Sequence, residues 1–468
     1  MSEHREDNDQ GPRSRLASAA VLLVCIVPML ATVVYGAVDS WAIALLGVIV
    51  AVIALLWIAD AWTTKQLRVS SSLLLLPVIG VIALALVQLL PIVPNNEAAA
   101  ILSAPVASTI SMDPYATRLF LMRVVILFVF FALALTYIPG GSRAKTISTV
   151  IVVFGAFAGF FGIIQRLAIP PETIYGLRAT PQALPFGPFV NQHHFAALME
   201  MTSGLALGML FGSGVGRDRK IFLAIAAGIM GMAVAFTGSR GGMISYIGVV
   251  AFVVVASFVR RSGSESGVRS RNLIVAISAI ALVFLVIGSV SFLGGGSELL
   301  RGMGIEAGAT DVTSGRSHFW NIALKVFLDH PILGAGFDAF GAAYTRYDTW
   351  NGAFRVEQVH NDYLQMLADG GVLAFACVVV FVVLLIGRGI KAIGGNRSTG
   401  IERSIVTGAL AGCFGILIHS FFDFPLRTTA NAFFFLLLVT IATEGGRVKS
   451  KRSVTARSRE SLSSRTAS

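Results

Sequence analysis

Long apolar runs dominate the chain, and short polar segments separate them. About 20 apolar residues span a bilayer as one helix, and by this measure the pattern predicts twelve spans. They cover residues 16–36, 41–59, 72–93, 119–138, 147–168, 194–213, 220–237, 241–259, 272–293, 372–388, 404–421 and 428–443. The sequence therefore predicts an all-α, polytopic transmembrane helical bundle.

The longest polar-rich interval, residues 294–371, interrupts this pattern after the ninth span. We interpret it as one long outer loop with short interfacial helices, of which the first runs from Thr313 or Ser314 to about Leu328. The predicted organisation is a polar cytoplasmic tail, nine spans, the periplasmic loop, three spans and a basic, disordered cytoplasmic tail. The corresponding boundaries are 1–15, 16–293, 294–371, 372–443 and 444–468.

Lysine and arginine are concentrated in every second connection, which fixes the expected orientation by the positive-inside rule. With the N-terminus inside, each inner segment carries at least two basic residues, and an even number of spans leaves both termini in the cytoplasm. The composition, 55% hydrophobic and 13% charged, is that of a membrane protein. The net charge of +11 therefore reflects topology and contact with membrane lipid, and nucleic acid is not an expected partner.

Five polar clusters, separated in sequence, share the predicted outer face. A chain that is mostly membrane keeps its ionisable groups where they act, so this convergence predicts an active site there. The clusters contain Gln165 and Arg166; Asn191, His193 and His194; Arg240; Arg316, His330, Glu357, His360 and Asn361; and His419, Asp423 and Arg427.

Several of these residues also have purely structural interpretations. Arg316 lies at a predicted helix N-terminus, where the helix dipole disfavours a cation, and a local ion pair with Asp311 or Glu306 is the alternative to a functional role. His360 precedes a predicted helix start with Asn361 or Asp362 as its cap, and a plain helix cap is the alternative to a functional role for His360. Adjacent histidines on a helix point apart, so no metal site is expected at 193–194. The three cysteines lie in apolar runs, which excludes a disulfide framework or cysteine-based zinc site.

Six short motifs resemble those of the O-antigen ligase and polymerase family. They are F-V-N-Q-H-H-F-A at 189–196, T-G-S-R-G-G at 237–242, S-G-R-x-x-x-W at 314–320, H-P-x-x-G-x-G at 330–336, H-N-D-Y-L-Q at 360–365 and H-S-F-F-D-F-P at 419–425. The resemblance covers roughly residues 150–430. It implies an integral inner-membrane glycosyltransferase that takes a glycan from undecaprenyl diphosphate and needs neither metal nor cofactor.

Carried over motif by motif, the resemblance assigns diphosphate binding to Arg240 and Arg316 and the catalytic base to His360. Arginine suits a developing diphosphate because it presents fixed donors and stays charged, and histidine suits proton transfer near neutral pH. The remaining candidates for substrate contact are Asn191, His193, His194, Gln165, Arg166, Glu357, Asn361, His330, His419 and Asp423. Glu357 is also a candidate for orienting His360.

The expected acceptor is lipid A core, as for a ligase. A polymerase joining lipid-linked repeats of O-antigen or exopolysaccharide is the alternative within the family, and a protein-glycosylating transferase is a third. A polysaccharide transporter is a remote alternative, since that fold expects repeated halves and here nine spans precede the long loop and three follow it.

Overall fold

The computed structural model describes residues 14–93, 108–138, 140–168, 172–181, 183–259, 315–349, 356–394 and 400–444. Within these ranges the protein is an all-α bundle whose regular sheet is one hairpin of two-residue strands. The helices are α1 (Arg15–Val33), α2 (Ser40–Thr64), α3 (Leu75–Gln88), α4 (Pro114–Tyr137), α5 (Gly141–Ala168), α6 (Gln192–Phe211), α7 (Arg217–Phe236), α8 (Arg240–Val259), α9 (Arg316–Asp329), α10 (Phe340–Tyr344), α11 (Asp362–Gly394), α12 (Gly400–His419) and α13 (Thr429–Glu444). The hairpin joins β1 (Thr173–Ile174) and β2 (Arg178–Ala179), and 3₁₀ turns cover Tyr35–Ala37 and Pro425–Arg427.

The predicted helical bundle is confirmed. Nine of the described helices are long and apolar enough to cross a membrane, and the apolar helices α3 and α13 are shorter, at 14 and 16 residues. These helices correspond to all the predicted spans except 272–293, which lies outside the described residues. Helix α5 begins before its predicted span because residues 141–146, although polar, continue the same helix.

Helices α6, α12 and α13 form the centre of the bundle, and nearly all residues of α6 and α13 are buried. Glycines allow the backbones of α6 and α12 to touch: a Cβ added to Gly208 would lie 2.3 Å from the Cα of Gly408. Small residues at such spacing are the usual means of close helix packing in membranes. The central helices are thus held in a fixed register.

Side-chain contacts near the helix ends show which connections lie together at each end of the bundle. At one end, Arg388 of α11 donates to Ser72 at 2.8 Å and pairs with Glu444 at 3.6 Å. At the other, Asp39 pairs with Arg178, and the connections 237–239 and 420–428 meet the described parts, 315–349 and 356–361, of the segment 315–361. We call this second end the site end and the first the opposite end.

The segment 315–361 is attached to the bundle by a buried glutamine at the end of α3. Nε2 of Gln88 donates to the carbonyls of Leu333 and Asp369 at 2.5 and 2.8 Å, and its Oε1 accepts from the backbone N–H of Phe337 at 2.9 Å. A buried polar side chain must be hydrogen-bonded to be tolerated. Gln88 meets this requirement by joining α3 to both the segment and α11.

A kink in α11 at Gly371 completes the attachment. Gly371 has φ 64° and ψ −167°, a conformation essentially restricted to glycine, and an added Cβ would lie 2.3 Å from the carbonyl oxygen of Ile332. The broken helix leaves backbone groups that residues 331–336 satisfy: the N–H groups of Ala335 and Gly336 donate to the carbonyls of Ala368 and Asp369, and that of Val372 donates to Pro331. Residues 331–336 therefore fit against the kink of α11 at Gly371.

Candidate active site

A buried carboxylate in the turn between α12 and α13, residues 420–428, lies at the centre of the site. Asp423 is 1% exposed. Its Oδ1 accepts from Nδ1 of His360 at 3.2 Å and from the backbone N–H of Phe424 at 2.9 Å. Its Oδ2 accepts from Nη2 of Arg316 at 3.3 Å. One carboxylate thus joins a histidine and an arginine from separate parts of the segment 315–361.

The surroundings of Asp423 keep it ionised. Burial alone would raise its pKa. The hydrogen bond from His360 and the charges of His193, His360 and Arg316 outweigh burial and hold the pKa of Asp423 well below its usual value. An ionised carboxylate only accepts hydrogen bonds, so Nδ1 is the protonated nitrogen of the His360 ring when that histidine is neutral.

His360 is held in an unusual conformation between two aromatic rings. Its φ of 56° lies in the left-handed region, which non-glycine residues rarely adopt and which is often found at functional sites. The ring stacks on Phe319 at a centroid distance of 5.9 Å and meets Phe424 edge-on at 4.8 Å. Its side chain is 30% exposed. With Nδ1 bound to Asp423, Nε2 is the nitrogen available to accept a proton.

The residue after His360 locks the start of α11 to the turn 420–428. Oδ1 of Asn361 accepts from the backbone N–H groups of Tyr363 and Leu364, both at 3.0 Å, and its Nδ2 donates to the carbonyl of Phe421 at 3.1 Å. Of the two caps that the sequence offered, Asn361 and Asp362, the structure thus shows Asn361 in the cap geometry. This cap positions His360 relative to Asp423.

The two predicted arginines each begin a helix at the site end. Arg316 is the first residue of α9, directly after Gly315, whose φ is 82°. Arg316 forms an ion pair with Asp423. The predicted partners Asp311 and Glu306, like Thr313 and Ser314, lie outside the described residues. Arg240 is the first residue of α8. The next residue, Gly241, lies against the turn 420–428, since an added Cβ would be 2.9 Å from Cβ of Phe422.

The start of α6 contributes His193 to the same neighbourhood. Nδ1 of His193 is 2.8 Å from Oγ of Ser239, the residue before Arg240. Asn191 accepts from the backbone N–H of His193 at 2.8 Å and so caps α6. His193 therefore lies beside Arg240, and its charge acts on Asp423.

Two further predicted histidines are buried behind the turn. Nδ1 of His194 is 2.6 Å from Oγ1 of Thr428, and Nδ1 of His419 is 2.8 Å from Oε1 of Glu200. Both Nε2 atoms are buried without a hydrogen-bond partner among the described residues. These side chains support the turn from the bundle side.

A comparison with known protein families matches part of the chain. Residues 225–379 match the Wzy_C family model, described as O-antigen ligase. Over these residues the chain is similar to the O-antigen ligase family. The match contains Arg240, Arg316 and His360, and it supports a membrane glycosyltransferase of the O-antigen ligase or polymerase type. No curated protein matches the chain.

Asp423 and the start of α6 lie outside the residues matched to the O-antigen ligase family. The structure nevertheless brings Asp423 to Arg316 and His360, and it brings His193 at the start of α6 to Ser239. The candidate site is thus assembled from the family domain and from helices on either side of it.

Gln165 and Arg166, at the end of α5, are in a different environment. Nε2 of Gln165 donates to the carbonyl of Gly187 at 2.9 Å, and its Oε1 accepts from the backbone N–H of Tyr175 at 3.3 Å. Gln165 thus anchors the connection between α5 and α6. Arg166 is a partly buried residue of the last turn of α5.

Glu357 and His330 are also not joined to Asp423 by the described contacts. Glu357 is exposed and packs against Gly341 in α10. His330 ends α9, where its backbone N–H donates to the carbonyls of Val326 and Phe327. The carboxylate that accepts from Nδ1 of His360 is Asp423 and not Glu357, which the sequence had suggested for that role.

Sequence reasoning grouped Arg427 with His419 and Asp423 in one polar cluster, but it missed the buried ion network that Arg427 forms beside the candidate site. Arg427, whose side chain is 9% exposed, pairs with Asp338 and with Asp369, the latter at 2.5 Å. Arg123 in α4 donates to the carbonyl of Arg427 at 2.9 Å and lies 3.6 Å from Asp338. The available signal was Arg123, since a cation within an apolar span is unusual unless it has partners. Among the described residues, no group of three or more His, Cys, Asp or Glu is placed to hold a metal ion.

Proposed function

We propose that the protein is an inner-membrane glycosyltransferase that moves a glycan from undecaprenyl diphosphate to an acceptor hydroxyl at the periplasmic face, with lipid A core as the acceptor. The observation that carries the proposal is the Arg316–Asp423–His360 arrangement, in which one ionised carboxylate orients a base and a cation. The family match supports the reaction class.

His360 is the proposed general base. Asp423 accepts from Nδ1 and leaves Nε2 free to take the proton of the acceptor hydroxyl as its oxygen attacks the anomeric carbon of the donor sugar. The imidazolium that forms is stabilised by the neighbouring carboxylate. Partial exposure of the ring allows an acceptor to reach it.

Arg240 and Arg316 are the proposed diphosphate ligands. As the acceptor oxygen bonds to carbon, the bond between that carbon and the diphosphate oxygen breaks, and the electron pair leaves with the lipid diphosphate. Two guanidinium groups at helix starts can stabilise this developing charge. Asp423 holds only one edge of Arg316, so the remaining donors can turn to a phosphate.

The test is glycan transfer by purified His360→Ala with a lipid-linked donor. We expect transfer to fall by at least 100-fold, in keeping with general base catalysis, while the protein remains folded in detergent. His318→Ala is a matched control because His318 also pairs with a carboxylate, Asp348, at 3.1 Å in the same segment. Near-normal transfer by His360→Ala would exclude the base role.

The acceptor is tested separately. Purified protein is given lipid-linked donor with lipid A core in one reaction and with a second lipid-linked glycan in the other. A product on lipid A core supports the ligase. Elongated lipid-linked glycan without that product would instead establish the polymerase.

A further inference from the structure

A groove at the opposite end of the bundle, away from the candidate active site, has the features of a lipid site. Its volume is about 590 Å³, and it lies among α5, α6, α7 and α12. The lining residues on each helix are spaced three or four positions apart and so share one face of it. Helix α5 contributes positions 142, 145, 146 and 149, and α7 contributes 219, 222 and 223. Two packed helices thus form its walls over most of their first two turns.

Two cations face this groove without a carboxylate partner among the described residues. They are Lys145 on α5 and Arg219 on α7. The neighbouring acid, Asp218, does not line the groove. Both walls are also close to helix N-termini, Gly141 and Arg217, which add positive potential. The polar mouth therefore favours an anion.

The rest of the groove is apolar. Leu223, at 4% exposure, and the buried Val152 and Met209 form its floor. Phe222 and Val150 remain exposed on its walls, at 45% and 36%. A free inorganic anion would leave this apolar surface uncovered, whereas a lipid tail would cover it. The combination requires an amphiphile with a negative head.

Hydroxyl groups beside the two cations favour, among anionic amphiphiles, those whose head group carries hydroxyls. Thr146 and Thr149 donate to the carbonyls of Ser142 and Lys145, at 3.0 and 2.9 Å, so their oxygens remain available as acceptors. A head group that carries hydroxyls can donate to them. Phosphatidylglycerol has both a phosphate and such hydroxyls.

We propose that this groove binds an anionic glycerophospholipid with a hydroxyl-bearing head group. The phosphate lies between Lys145 and Arg219, and an acyl chain lies along Phe222 and Val150. Basic pockets between membrane helices bind anionic lipids in this manner. The proposal does not depend on the proposed glycosyltransferase reaction.

Native mass spectrometry of the full chain in detergent tests the proposal with phosphatidylglycerol and phosphatidylcholine of equal chain length. Two cations near a membrane surface correspond to a preference of roughly 30-fold for the anionic lipid. Equal retention of both lipids by the unaltered protein would overturn the proposal, and this comparison needs no variant.

Variants then locate the site. Lys145→Gln/Arg219→Gln should remove the preference, whereas Arg217→Gln/Lys391→Gln, which removes two cations at the same end outside the groove, should retain it. Equal loss in both pairs would show a diffuse charge effect and overturn the assignment. Phe222→Ser should weaken long-chain phosphatidylglycerol but not its dihexanoyl form. Binding of inorganic phosphate as strongly as the long-chain lipid would also refute a lipid site.

Discussion

Replacing Asp423 with asparagine is the sharpest test of the candidate active site. The substitution keeps the size of the side chain and removes its charge. It should therefore leave the fold intact but weaken the interactions with His360 and Arg316, at 3.2 and 3.3 Å. The asparagine oxygen can still accept from Phe424 and His360, whereas its NH₂ group would face the guanidinium of Arg316.

The expected loss follows from these contacts. A hydrogen bond to a charged group contributes about 1.5–3 kcal/mol. Asparagine loses the bond from Arg316 and keeps the bond from His360 without its charge. A total of about 2–4 kcal/mol corresponds to a decrease in kcat of roughly 30- to 1000-fold. The effect should fall mainly on kcat, because the imidazolium that Asp423 stabilises forms during the reaction.

The assay is steady-state transfer from a lipid-linked donor, with kcat and KM measured separately. Asp39→Asn is the control, because Asp39 also pairs with an arginine, Arg178, at the site end. We expect that control to stay within about threefold of the original kcat, as partly exposed ion pairs contribute little. A kcat for Asp423→Asn equal to that of the control would refute the role given to this carboxylate.

Three further predictions concern stability and charge. Because the folded pKa of Asp423 is depressed, its stabilisation is present above its unfolded value of about 4 and is lost as pH falls through the folded value. The difference in Tm between the original protein and Asp423→Asn should therefore shrink as the pH falls below about 4; a difference at about pH 3 as large as that at neutral pH would contradict this. Gly371→Ala should lower Tm by several degrees, since the strain costs about 1–3 kcal/mol and the added Cβ clashes, whereas Gly387→Ala, with open space around it, should not lower it. Arg316→Lys keeps the charge but loses the planar fork, so kcat/KM should fall about tenfold, and an unchanged value would argue against diphosphate binding.

The architecture of the bundle could be predicted because its signals are local. An apolar run of sufficient length specifies a membrane helix by itself, and eleven of the predicted spans correspond to described helices. The kink of α11 at Gly371 was not predicted, although the predicted loop ends at that residue. Successive connections of a membrane bundle lie on alternate sides, and from this we predicted that the polar clusters share one face. The structure brings three of their residues, Arg316, His360 and Asp423, together.

The pairings within the site could not be predicted because they are tertiary. The sequence offered Arg316 only local partners, Asp311 and Glu306, whereas the carboxylate it contacts is 107 positions away. The same reasoning suggested Glu357 to orient His360, because proximity in sequence was the available guide. Separation along the chain does not indicate which side chains contact each other once helices pack side by side.

The buried ion network explains how such distant residues can meet in one geometry. Arg427 lies four residues after Asp423, and it pairs with Asp338 of the segment 315–361 and with Asp369 of α11. A buried ion pair is a weak source of stability compared with apolar packing, but removing one partner costs about 3–5 kcal/mol because the other charge is left uncompensated. Any arrangement in which the turn 420–428 shifts relative to the segment or to α11 incurs that cost. We therefore infer that the network favours the register in which Asp423 faces both Arg316 and His360.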